Sequence, residues 1–128
     1  MKKAKPQEIY EEALKERAKP DPLKKRQACE KGWLAVTEAV DQFLKTHHNI
    51  HIPTGTPEAH GKRNKALADL VGIAPEAEPL SEKVAEIAEK LHGTCFYLGE
   101  DSPHFDTVLK KKVREILELT GSWNGQDK

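Results

Sequence analysis

The stretch from Pro22 to Thr46 constrains this chain more than any other. Cys29, Gly32, Trp33, Val36, Val40, Phe43 and Leu44 recur there at offsets of three, four and seven residues. That spacing puts them on one stripe of a helix, with Lys24, Lys31, Glu38 and Asp41 mostly turned away. It is the longest and cleanest period in the sequence and carries one of the two tryptophans. A helix of this kind buries its stripe only if other helices pack against it, so the rest of the chain is expected to assemble on it.

A chain of 128 residues suits one domain, here 1–128. At that length roughly two-thirds of the unfolded surface can be buried. Mean hydropathy is low at -0.72, but the 21 acidic and 21 basic residues cancel. Disordered chains couple low hydrophobicity to large net charge, so the balance argues for folding. It also provides no global attraction to nucleic acid or anionic membrane. High charge with a single methionine resembles thermophile surfaces. Cys29 and Cys95 are too few for a disulfide scaffold or a cysteine zinc site, and both lie among apolar residues. They read as buried free thiols. Met1 to Pro6 is basic but has no apolar run behind it, so no signal peptide is expected. No apolar span approaches ~18 residues, so no membrane crossing is expected, and the reducing cytoplasm is the expected location.

The remaining periods are also helical. Gln7 to Ala18 has a narrow stripe of Ile9, Ala13 and Leu14, and Lys19-Pro20-Asp21-Pro22 breaks it. Asp21 reads as the N-cap of the long helix with Pro22 at its first position. His47 to Gly55 reads as a loop. Thr56-Pro57-Glu58 reads as a helix start, and that helix turns Leu67, Leu70 and Val71 inward and stops at Gly72. A fourth helix starts near Pro79 to Ser81 and carries Leu80, Val84, Ile87, Ala88 and Leu91, with its continuation through Gly93 open. Ser102-Pro103 opens a last helix with Phe105, Leu109, Val113, Ile116 and Leu117 inward, Lys110 to Arg114 outward and Gly121 beyond its end. No segment alternates with period two long enough to argue a strand. The expected fold is all-α: an up-and-down antiparallel bundle of four main helices plus a short leading one, frayed over 1–6 and 122–128.

Few residues suggest chemistry. His47, His48 and His51 invite a metal, but Pro53 interrupts any helix through them and no local acid or cysteine completes a zinc motif. They read as exposed loop histidines, and no metal or cofactor is expected. His60, Arg63 and Asn64, with Lys62 and Lys65, form a small cationic patch. It is either a solvated helix face or a phosphate or partner contact, since arginine offers a rigid donor fork. His92 and Tyr97, near Trp33 in the expected core, either line a pocket or, in the case of His92, form a hydrogen-bonded core histidine. No Gly-rich phosphate loop, Gly-x-Ser-x-Gly elbow or paired-carboxylate signature is present.

Two stretches, Ala28 to Ala39 (ACEKGWLAVTEA) and Leu91 to Tyr97 (LHGTCFY), resemble the archaeal paralogous-repeat proteins of PaREP type. These are small helical proteins similar to the HEPN superfamily. The resemblance implies an up-and-down bundle, often paired into a homodimer. It also implies a test for activity, because catalytic members carry Arg, often a polar residue, and a His after four to six intervening residues. Arg63-Asn64 matches the first half, but the histidine positions hold Ala68, Asp69 and Leu70, and Arg17, Arg26 and Arg114 have no such histidine. Without an imidazole the motif lacks its proton carrier near neutral pH.

The function these observations support is a non-catalytic, homodimeric interaction module, with a nucleotidyltransferase-type protein as the partner the resemblance suggests. The alternatives are a degenerate ribonuclease or RNA-binding protein using His60, Arg63 and Asn64, and a small-ligand or nucleotide site near Trp33, His92 and Tyr97.

Overall fold

A computed structural model describes residues 5–53, 56, 58–75, 77–97 and 103–123. Among the described residues there are five helices and no strand. They are α1 (Pro6–Arg17), α2 (Pro22–His48), α3 (Ala59–Leu70), α4 (Ala77–Ile87 continuing as Ala88–Tyr97) and α5 (Pro103–Thr107, Val108–Lys112 and Val113–Leu119).

The long helix is the central element. Asp21 caps it by accepting a hydrogen bond from Leu23 N at 2.9 Å, and Pro22 occupies the first turn, where its missing N–H costs nothing. From Ala28 to Leu44 it is covered on almost every side, by α1, α3, the second part of α4 and the end of α5. Burial on most sides marks it as the core helix, with Leu34 and Gln42 on the face left exposed. Asp41, expected on the outward face, is buried with the rest. Leu44, Leu67, Leu80, Ile87, Leu91, Leu109 and Leu117 are fully buried, so α2 to α5 share one core. Each such side chain contributes ~1.5–3 kcal/mol relative to exposure.

Gly32 allows the closest approach. A Cβ there would lie 2.5 Å from Leu109 Cδ1 and 3.1 Å from Leu91 Cδ1. A side chain there would force the Leu109 and Leu91 tips to shift where α4 and α5 converge on α2.

The second parts of α4 (Ala88–Tyr97) and the middle of α5 (Val108–Lys112) are π-helical. The helix therefore does run on through Gly93. In α5 the apolar residues Phe105, Leu109, Val113 and Leu117 fall every four positions. At 3.6 residues per turn such a series drifts ~40° per step around an α-helix. Local widening keeps it facing α2. Tyr10 Oη donates to Lys110 O in this widened segment at 2.8 Å, fixing α1 to it.

Several ends differ from the sequence expectation. Helix α2 runs two residues beyond Thr46, so His47 and His48 belong to its last turn, and left-handed Asn49 (φ 54°) closes it. Their rings pack on Phe43, at 5.1 and 5.2 Å between centroids, rather than standing in a loop. Helix α3 starts after Glu58, and the Thr56 hydroxyl donates to Pro53 O at 2.7 Å instead of capping it. It ends at Leu70, which leaves Val71 exposed. Helix α4 starts at Ala77.

Pro6 is buried at the start of α1. At the other end Gly121 (φ 76°) turns the chain, with Gly121 N on Glu118 O and Ser122 N on Leu117 O. Trp123 then docks on its own chain, edge-on to Tyr10 and under the Arg114 guanidinium. Pro6, Ser122 and Trp123, all within the segments expected to fray, are placed against the fold; residues 1–4 and 124–128 lie outside the described part.

Ion pairs across the helices add specificity. Arg17 of α1, itself buried, holds Asp106 of α5 at 2.7 Å, and Lys31 of α2 pairs with Glu16 of α1. Glu86 of α4 reaches Lys112 of α5 at 3.7 Å. No described helix is long and apolar enough to cross a membrane.

Candidate functional site

Arg26, Glu30 and Trp33 lie four and three residues apart on α2, and His92 and Phe96 lie four apart on α4. Helical geometry therefore gathers each set on one face. His60, the second residue of α3, joins them. The His60 ring stacks on Trp33, with centroids 5.5 Å apart and planes 2° apart. His92 lies 5.7 Å from Trp33 and 5.3 Å from His60. Phe96 continues the group at 6.4 Å from His92, with planes 12° apart. Arg26 donates from Nε to Phe96 O and places its guanidinium over the Phe96 ring.

One end of this cluster is inside the protein and the other outside. Trp33 is 4% exposed, His92 and Phe96 are half-buried, and His60 is exposed. His92 Nδ1 lies 2.7 Å from Glu30 Oε1. An ionised carboxylate only accepts, so Nδ1 carries the proton and donates. Partial burial, followed by the nearby positive charge of Arg63 and the His92 ring, holds the His60 imidazole below the ordinary histidine pKa; Glu30 and Asp41 oppose this more weakly.

Thus residues that sequence reasoning assigned to two separate places form one group. From sequence His60 reads as part of the α3 cationic patch, and Trp33 and His92 as lining a core pocket. The patch itself does not exist as a unit. Arg63 points inward, 3% exposed, and donates from Nε and Nη2 to Asp41 Oδ1 and Oδ2 at 2.7 and 2.9 Å. Asn64 and Lys62 are exposed, and Lys65 binds Asp69 of its own helix at 3.1 Å. Beside Trp33 the space is taken by imidazole rings. Tyr97 ends α4, and its side chain lies outside the described part.

The free-thiol expectation is corrected. Cys29 and Cys95 form a disulfide between α2 and α4, with Cα atoms 6.2 Å apart. Both cysteines are buried. Cys29 is one turn before Trp33, and Cys95 adjoins Phe96, so the bond fixes the two helices that carry most of the rings. The argument for a reducing compartment rested on free thiols and loses that support, since disulfides persist in oxidising compartments and inside hyperthermophiles.

Among the described residues no three or more His, Cys, Asp or Glu side chains are placed to hold a metal ion. A cavity of about 390 Å³ lies away from the rings, at the C-terminal end of α2 between Phe43, His47, Thr120 and Trp123. What the ring cluster offers chemically is a set of π-faces beside one guanidinium, with a histidine biased to its neutral form. Comparison with models of known protein families, with curated proteins and with solved structures finds no match to this chain.

Proposed function

We propose that this protein is a non-catalytic, HEPN-like up-and-down helical bundle that pairs with a second copy and serves as an interaction module for another protein, of small nucleotidyltransferase type. The observation that carries the non-catalytic part is the Arg63–Asp41 pair. Arg63 is the arginine that matches the first half of the ribonuclease motif, and both of its hydrogen-bonding edges toward Asp41 are used inside the fold. A catalytic arginine must reach the substrate; this one holds α3 to α2.

The pairing rests on the resemblance and on two exposed leucines. Leu23 and Leu34 are 57% and 47% exposed on α2. Eleven residues separate them, close to three helical turns, so they share a face. The archaeal, thermophile-like character suggested by the resemblance and the charge-rich surface accommodates the disulfide in an intracellular protein. Sedimentation equilibrium tests the pairing. The proposal expects a species of twice the 14.4 kDa chain mass, reduced to single chains by Leu34→Glu. A chain that stays single at every concentration, or that cleaves RNA, overturns it.

A further inference from the structure

We infer that the Trp33–His60 stack is a seat for one planar heterocycle, a nucleobase carried by a free nucleotide or by single-stranded RNA, which rests on the outer face of the His60 imidazole.

An exposed histidine ordinarily samples several rotamers. Here the buried indole of Trp33 lies parallel to the His60 ring within 2° and offset from it, with centroids 5.5 Å apart, and His92 packs beside it at 5.3 Å. The imidazole plane is therefore set in advance by groups inside the fold, which lowers the ordering cost of stacking a ligand on it. The ring group begins at a residue 4% exposed and ends at an exposed one, so its His60 end faces solvent.

His92 and Phe96 extend the π-surface sideways, and the Arg26 guanidinium sits 5.9 Å from the Phe96 centroid. Aromatic faces interleaved with a cation are how proteins hold unpaired bases, and every base has a π-face to offer. The lowered proton affinity of His60 keeps the uppermost ring uncharged near neutral pH. The chain's zero net charge supplies no general attraction for polyanions, so the base is the part recognised. This inference is independent of pairing and of any protein partner.

The test is calorimetric titration of the full chain with adenosine monophosphate, a short single-stranded oligoadenylate and, as the control without a base, ribose 5-phosphate. Wild type is expected to bind an adenine-bearing probe and not ribose 5-phosphate. His60→Ala is expected to weaken binding about tenfold or more, His60→Phe to retain it and Glu82→Gln, at an exposed position in the first part of α4, to leave it unchanged. Binding of the monophosphate assigns a free nucleotide; binding of the strand alone assigns RNA. The inference is overturned if neither adenine probe binds, if ribose 5-phosphate binds as well, or if His60→Ala binds like wild type while remaining folded.

Discussion

The Arg63 guanidinium meets the Asp41 carboxylate through two parallel hydrogen bonds of 2.7 and 2.9 Å, and both side chains are buried. Both charges are largely shielded from bulk solvent, so each depends on the other. Bidentate geometry gives the pair its energy and its specificity. It also fixes the orientation of α3, and with it the His60 ring one turn before Arg63. A residue that composition suggested as a surface cation is thus what brings the exposed end of the ring cluster into place.

The disulfide closes a loop across 66 positions of sequence. In the chain-entropy account a loop of that length contributes about 4 kcal/mol. Replacing both cysteines by serine is expected to lower the unfolding free energy by about that much in urea titration. Iodoacetamide should label no thiol in the native, unreduced protein and two after reduction in denaturant. Labelling of two thiols in freshly purified native protein would contradict the bond.

Two glycines predict opposite signs. Gly32→Val places carbon into Leu91 and Leu109, and overpacking of this kind costs ~1–3 kcal/mol. Gly61, in the first turn of α3, has no neighbour within 4 Å of a Cβ. Gly61→Ala should therefore stabilise by ~0.5–1 kcal/mol through helix propensity. Equilibrium unfolding of the two variants checks both.

His60 should titrate below 6.5, read from its ring resonances by NMR. The folded state then binds the proton less readily than the unfolded chain does. The stability His60 contributes is present above pH ~6.5 and declines as pH falls through that value toward the folded pKa. His60→Gln should flatten the stability profile in that window. A midpoint above 6.5 would contradict the arrangement of Arg63 and His92 around it.

Tyr10→Phe removes the hydroxyl that donates to Lys110 O. Loss of this one hydrogen bond should cost about 1 kcal/mol, and amide exchange should quicken around Val108 to Lys112. Burial raises the Tyr10 pKa above 10.0. Its proton therefore favours the folded state, and this contribution is lost as pH rises through the folded pKa, a loss the phenylalanine variant should not show.

The helices were legible because local rules decide them: the stripe of α2, the Asp21-Pro22 start, Pro103 and the turn at Gly121. What tertiary packing decides was not. Cys29 and Cys95 each lie on an inward stripe, but nothing local shows that the two stripes face each other. His60 reads as surface until α3 is folded back over Trp33. Asp41 and Arg63 read as ordinary exposed charges because hydropathy does not record partners 22 positions apart. The π-helical parts did leave a trace, the fourfold spacing from Phe105 to Leu117, which a search for a 3.6-residue period passes over.

The central claim is that Arg63 is structural and that the protein lacks ribonuclease activity. Its most direct test combines a single-stranded RNA cleavage assay with equilibrium unfolding, on wild type and Arg63→Ala. The account predicts no cleavage by either protein and a loss of roughly 3–5 kcal/mol in the variant, whose Asp41 is left buried without a partner. Cleavage by wild type that disappears in an equally stable Arg63→Ala would contradict it.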